Sequence, residues 1–260
     1  MKSSLKDKAS KIVLRAGKYL KQNSKKIKSI AFKGSINLVT NVDREVENIL
    51  IGSLRKEFPD IGFLSEEIGE IRPGSGLKWI IDPIDGTTNF AHGFPFYSIS
   101  LALEREKKPI LGIVYDPVRN ELFSAERGRG AHLNGKPIKV SPQKDLKKSL
   151  LMTGFSYKLG KSMEANLVHF RNFLIASQAV RRAGSASLDL CYVACGRLEG
   201  FWELDLKPWD TAAGWLIVKE AGGEVTTFSG REYIHYLKEI LASNGKIHRQ
   251  MSKILSKKRS

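Results

Sequence analysis

Between residues 61 and 156 the chain passes through six short segments of strand composition: GFLSEE, LKWIID, YSISLALERE, ILGIVYD, ELFSAE and LLMTGFS. Several are joined by Gly, Pro or Asn-Gly turns such as HLNGKP. After that the pattern changes and the periods alternate. Residues 163–176 read as a helix, AVRRA as a short strand, 187–197 as a helix, GFWEL as a strand and 209–221 as a helix. EVTTF and EILAS then read as strands before a basic final helix. A row of strands needs a layer to cover its apolar face, and alternating segments provide one. The order therefore predicts an α/β chain, a layered α+β sandwich of alternating helix and sheet layers. We expect a mainly antiparallel N-terminal sheet lobe over residues 1–150 and a smaller C-terminal α/β lobe over residues 151–260.

Two helices precede the strands. Leu5, Ala9, Ile12, Val13, Ala16, Tyr19 and Leu20 recur at helical spacing with lysines between them, an amphipathic opening. The TNVD run at Thr40 resembles a capping box with Asp in the third position. Val46, Ile49, Leu50 and Leu54 carry that helix on until it stops before Pro59.

The formal charge of +16 points to nucleic acid only if it lies where chemistry would use it. Residues 1–33 hold 11 Lys/Arg against Asp7 alone, residues 231–260 hold 8 against 2 acids, and residues 34–230 hold 24 of each sign. The excess therefore sits at the two ends around a neutral body. A lysine-rich helix face is ordinarily just solvated, but ends this basic also suit RNA or another anionic surface. No segment reaches the ~20 apolar residues of a membrane span. The charged N-terminus lacks the apolar region of a secretory signal, so a cytoplasmic, membrane-free protein is expected. Cys191 and Cys195, four apart, read as reduced packed thiols.

The chemistry concentrates in IIDPIDGTTNF. An apolar strand end, Trp79 to Ile81, delivers Asp82; Pro83 presets the chain after it; Gly86 allows a tight turn; and Thr87, Thr88 and Asn89 resemble a helix start with free N–H groups. Two carboxylates beside an anion-binding turn suit a hard divalent cation bridging to phosphate. Glu66 and Glu67 end another strand, and Asp210 follows the helix-opening Pro208 and Trp209. An isolated acidic pair is more often a cap or a solvated turn. Four acidic sites, each at a strand exit or helix start, are harder to explain that way. Asp82 or Asp85 as a covalent nucleophile is the alternative, and it leaves Glu67 and Asp210 without a role.

DPIDGTTNF together with WDTAAGWLIVKEAGG resembles the paired signature of the inositol monophosphatase family of magnesium-dependent, lithium-sensitive phosphatases. SEE at Ser65 to Glu67 matches the family's acidic motif except for Ser65, where Gly is common. The likeness extends from KGSINLVTNVD through to LASN. It implies two or three Mg2+ ions. Glu67, Asp82, Asp85 and the carbonyl of Ile84 correspond to the ligands of the first, and Asp82, Asp85 and Asp210 to those of the second. Glu67 helps hold a third near the attacking water. Thr87 and Asp43 would orient and activate that water, the backbone of Gly86 and Thr87 would hold phosphate oxygens, and Lys33 would shape the first-metal region.

RRAGSASLDL matches the family segment that borders the substrate. Gly184, Ser185 and Ala186 are therefore candidate contacts, and the resemblance adds Ile84, Asp85, Gly86, Thr87 and Asp210. Glu203 matches an acid that accepts substrate hydroxyls; alone, it reads as a strand-end surface charge. Arg181 and Arg182 pair with acids or face a partner. The resemblance implies hydrolysis of myo-inositol 1-phosphate and related polyol phosphates by a homodimer. The alternatives are fructose-1,6-bisphosphatase or nucleotide 3'-phosphatase activity on the same fold, or an accessory role binding RNA or the transcription machinery.

Overall fold

A computed structural model describes residues 4–23, 30–33, 37–71, 76–156 and 160–256, without the side chains of residues 30–40. The Lys33 and Thr40 side chains therefore lie outside the described residues. So do Lys2, Lys25, Lys26 and Lys28 of the basic N-terminal stretch, and Lys257, Lys258 and Arg259 of the C-terminal one.

Five layers alternate. The outermost holds α1 (Leu5–Asn23) and α2 (Asn41–Glu57), amphipathic helices that bury Ala9, Val13, Ala16 and Leu20 against Val46, Leu50 and Leu54. A hairpin of β1 (Ile30–Lys33) and β2 (Asn37–Thr40) links them.

Beneath them lies an eight-stranded sheet of order β10-β9-β8-β7-β6-β5-β3-β4. It comprises β3 (Gly62–Ser65), β4 (Gly69–Ile71), β5 (Leu77–Asp85), β6 (Ser98–Arg105), β7 (Lys108–Asp116), β8 (Glu121–Glu126), β9 (Ala131–Leu133) and β10 (Lys136–Pro137). Only β3 and β5 pair in parallel, as a mainly antiparallel sheet requires.

The middle layer is α5 (Ala186–Ala194) and α6 (Pro208–Glu220), apolar nearly all round because each is covered by sheet on both sides. Gly112 on β7 lets α6 approach closely, since a Cβ there would stand 2.7 Å from the Ala213 carbonyl. The fourth layer is the five-stranded sheet β12-β11-β13-β15-β14, formed by β11 (Leu150–Thr153), β12 (Ala179–Arg181), β13 (Gly200–Leu204), β14 (Glu224–Thr226) and β15 (Glu239–Ser243). Its outer face is covered by α4 (Lys161–Ala176) and α7 (His248–Leu255) through Phe173, Trp202, Leu241 and Met251. The expected alternation of helix and sheet layers is what the chain builds.

One local expectation is corrected. The strand LKWIID does not end at Asp82; β5 continues through Pro83 to Asp85 across a register shift against β6. Proline has no N–H for a ladder and is tolerated at such a bulge. The kink turns Asp82 and Asp85 toward one point, above the start of the short helix α3 (Thr87–Ala91).

Candidate metal centre

The face on which each carboxylate emerges follows from strand alternation. Ile80 faces the α5/α6 layer while Trp79 and Ile81 face α1/α2, so Asp82 emerges on the α6 side. On β3, Leu64 faces the α5/α6 layer and Phe63 faces α1/α2. Leu64 pairs with Ile80 in the parallel register, so the next residue of the same parity, Glu66, arrives beside Asp82. Asp210 enters from the first turn of α6, with Oδ2 held by the Lys207 N–H at 2.7 Å.

Asp82, Asp85 and Asp210 each offer an oxygen within 4.8 Å of the others, on the floor of a cleft of about 790 Å³ that Glu66 also lines. Each is anchored by its other contacts. Asp82 Oδ1 accepts the Ile84 N–H at 3.0 Å across Pro83. Asp85 Oδ2 accepts from Ser185 Oγ at 2.7 Å, Ser187 N at 2.7 Å and Ser187 Oγ at 2.5 Å, at the start of α5. Ser98 Oγ backs Ser187 Oγ at 2.7 Å.

Desolvation pushes the Asp82 carboxyl well above the usual carboxylate range, with Glu66, Asp85, Asp210 and Asp43 adding like charge. Desolvation raises Asp210 in the same way, with Asp85 adding to it. Asp85 is raised less freely, because the Ser187 and Ser185 bonds favour its charged form. Crowded, desolvated carboxylates with remaining acceptor capacity fit a hard divalent cation, which prefers oxygen ligands.

Beside the acids, Thr87 Oγ1 lies 3.1 Å from Asp43 Oδ1 and 2.9 Å from the Ile84 carbonyl, so its hydroxyl can donate to either. Gly86 has φ 95°, and a Cβ there would meet the Gly184 and Phe96 carbonyls at 3.0 and 3.1 Å. Asn89 gives its amide to the Phe96 and Ala183 carbonyls, both at 2.7 Å, joining α3 to the segment that follows it and to the loop before α5. That loop brings Gly184, Ser185 and Ala186 into the cleft wall.

The glutamate of SEE that lines the cleft is Glu66, and Glu67 is not among the lining residues. The turn after β3 folds the Glu67 and Ile68 N–H groups back on the buried Glu47 carboxylate, at 3.1 and 3.3 Å, and Ser65 Oγ donates to the same oxygen. Glu203 is buried in the cleft wall, where a Cβ at Gly154 would collide with its carboxylate. Desolvation holds its carboxyl well above the ordinary range; Asp210 and Asp85 add to the shift and Arg182 opposes it. Arg182 lines the cleft, whereas Arg181 is exposed on β12.

Asp189, on α5, went unnoticed in the sequence. It is fully buried, and among the described residues neither oxygen has a hydrogen-bond partner. Burial raises its carboxyl well above the usual range, with Glu203 and Asp85 adding to the shift. Its spacing from Ser185 was visible in the sequence, but the carboxylates facing it come from other elements.

The sequence profile of the inositol monophosphatase family matches residues 1–260. The chain belongs to the inositol monophosphatase family. It is similar to an inositol-1-monophosphatase of Synechocystis, 43% identical over 250 residues that cover 95% of this chain and 87% of the relative. A protein of Vibrio cholerae called Nus factor SuhB is 45% identical over 210 residues, 80% of this chain and 78% of that one. Among solved structures, the extragenic suppressor protein suhB of Bartonella henselae superposes with a TM-score of 0.92 at 40% identity, over 96% of this chain and 97% of that one. The family is one of metal-dependent phosphatases, and the acidic cluster of Asp82, Asp85 and Asp210 could bind a metal. Among the described residues, no helix is long and apolar enough to cross a membrane.

Proposed function

We propose that the chain is a Mg2+-dependent phosphomonoesterase that hydrolyses myo-inositol 1-phosphate and related polyol phosphates by direct attack of water. The observation that carries this reading is the convergence of Asp82, Asp85 and Asp210 within 4.8 Å, in one cleft with Thr87. Glu66, Asp82, Asp85, Asp210 and the Ile84 carbonyl would hold two or three ions, with Glu66 in the place that the resemblance gives to Glu67. When bound, such ions lower the pKa of water and neutralise phosphoryl oxygens.

The other contributions come from the chain itself. Thr87 Oγ1, donating to Asp43 Oδ1, keeps lone pairs with which to accept a proton from the attacking water, and Asp43 can take the proton passed on. The Gly86 and Thr87 N–H groups orient phosphate oxygens. Glu203, with Gly184, Ser185 and Ala186, meets the polyol hydroxyls. No covalent phosphoenzyme is required. Phosphate release measured in parallel on myo-inositol 1-phosphate, fructose 1,6-bisphosphate and adenosine 3',5'-bisphosphate, with and without Mg2+, tests this. Inhibition by millimolar lithium is expected, and full activity in excess chelator would refute the reading.

A second activity, contact with RNA or the transcription machinery, is supported by the name of the Vibrio cholerae relative and by the basic ends. If it holds, replacing several lysines of residues 2–28 by Gln lowers RNA retention and flattens its salt dependence without slowing phosphate release. A cytoplasmic homodimer fits both activities. The exposed Leu167, Leu174 and Ile175 of α4 offer it an apolar face, and light scattering measures its mass.

A further inference from the structure

Helix α2 carries two buried acids four residues apart, Asp43 and Glu47, which puts both on one face. Asp43 meets Thr87. Glu47 does not line the cleft. Its Oε1 instead accepts three donors from one short piece of chain: Ser65 Oγ, the Glu67 N–H at 3.1 Å and the Ile68 N–H at 3.3 Å. A carboxylate taken out of water is costly unless donors replace the water it loses, and here three come from residues 65–68.

Those residues form the connection between β3 and β4. Ser65 pairs with Gly69, leaving Glu66, Glu67 and Ile68 as the loop, and Gly69 closes it at φ 83°. None of the three loop residues is buried, so packing in the apolar core does not set the loop's direction. The bonds to Glu47 bracket Glu66 instead. Ser65 is tied by its hydroxyl on one side; on the other, the N–H groups of Glu67 and Ile68 belong to two consecutive planar peptides, the first of which begins at Glu66.

Building on the reading of Glu66 as a Mg2+ ligand, we propose that Glu47 is a positioning residue for the metal centre: through Oε1 it clamps Ser65, Glu67 and Ile68 and so holds the Glu66 carboxylate at the cleft beside Asp82. Ser65 is one of the clamp's three attachments, and glycine there would leave Glu47 with two donors. A ligand loop already held in place loses little freedom when the ion arrives, so the clamp acts on Mg2+ affinity rather than on the chemical step.

Calorimetric titration of Mg2+ into the metal-free full-length protein, without substrate, reads that affinity; the Mg2+ dependence of phosphate release is measured alongside. Glu47→Ala is expected to weaken Mg2+ binding about 10- to 100-fold, while kcat at saturating Mg2+ falls less than about threefold. Glu47→Gln keeps a carbonyl oxygen in the place of Oε1 and should bind Mg2+ within about threefold of the wild type. Ser65→Ala removes a single donor and should weaken binding about three- to tenfold, the scale of one hydrogen bond. On a Glu66→Gln background, Glu47→Ala should add less than about threefold, because the ligand it positions is gone.

Equal losses for Glu47→Gln and Glu47→Ala would mean that Glu47 acts through its charge, and full additivity with Glu66→Gln would mean that it acts elsewhere in the fold; either result overturns the proposal. If Glu47→Ala does not fold, Ser65→Ala and its cycle with Glu66→Gln carry the test, and unchanged Mg2+ binding or full additivity there overturns the clamp. Variants with unchanged Mg2+ binding beside an active wild type bring down the clamp alone. A wild-type protein that neither binds Mg2+ nor releases phosphate from myo-inositol 1-phosphate brings down the phosphatase reading with it.

Discussion

Asp85→Asn separates the two tasks of one carboxylate. Its Oδ2 is taken up by Ser185 and Ser187 at the start of α5, and an amide carbonyl can accept those same bonds. The remaining atom becomes an NH2 group among Asp82 and Asp210, where a charged oxygen stood within 4.8 Å of theirs. Two full charges at that separation repel by about 3 kcal/mol at an effective dielectric near 20. The raised carboxyls of Asp82 and Asp210 mean that part of this repulsion is already relieved by protonation, so we expect about 1 kcal/mol of stabilisation without metal. For a chain of this size that is an increase in Tm of roughly 2–4 °C. Mg2+ at about a hundred times its Kd should add about 2.7 kcal/mol to the wild type and almost nothing to the variant. Turnover should fall at least roughly a thousandfold, the equivalent of about 4 kcal/mol of lost charge stabilisation. Thermal melts with chelator and with Mg2+, alongside phosphate release, give all three numbers. A variant with a lower metal-free Tm and an undiminished response to Mg2+ would refute Asp85 as a ligand crowded by its neighbours.

Three further outcomes test the site. Glu66→Gln should raise the Mg2+ concentration for half-maximal activity by about tenfold or more, whereas Glu67→Gln should shift it less than threefold; the reverse order would return the role to Glu67. Thr87→Ala should lower kcat by roughly 100- to 10,000-fold with little change in KM, since it removes the link from water to Asp43 while leaving every carboxylate in place; a change confined to KM would count against that link. Asp189→Asn should stabilise the metal-free protein more at pH 8 than at pH 5. Burial raises the Asp189 carboxyl, so the folded chain holds a proton that the unfolded chain has released. Stability contributed by that proton is present at low pH and is lost as pH rises through the raised pKa. Melts across this range that show a pH-independent difference would exclude Asp189 as the titrating group.

What could be read from the sequence was whatever one element decides on its own. Alternation along GFLSEE and LKWIID, and the helical period of residues 5–20, depend on local chain geometry, so the layers were foreseeable. Asp82, Asp85 and Asp210 were legible for the same reason, because Pro83, which presets the chain, and Pro208, which opens a helix, stand within a few residues of each acid, although the continuation of β5 through Pro83 as a bulge was not. The choice between Glu66 and Glu67 is of another kind. The motif places both at a strand exit, and only the pairing of Leu64 with Ile80 determines which one stands beside Asp82. That register belongs to two strands separated in the chain, and Glu47, which draws the Glu67 N–H away, comes from a third element. Asp189 was hidden for a related reason: an acid near the start of α5 looks like an ordinary helix-terminal charge until sheets on both sides bury it. Glu203 shows the limit most clearly. Its strand-end position suits solvent, and what buries it is Gly154, 49 residues earlier, whose missing side chain leaves space for the carboxylate. The acids of this site were therefore visible as residues, whereas their facing directions were properties of the assembled layers.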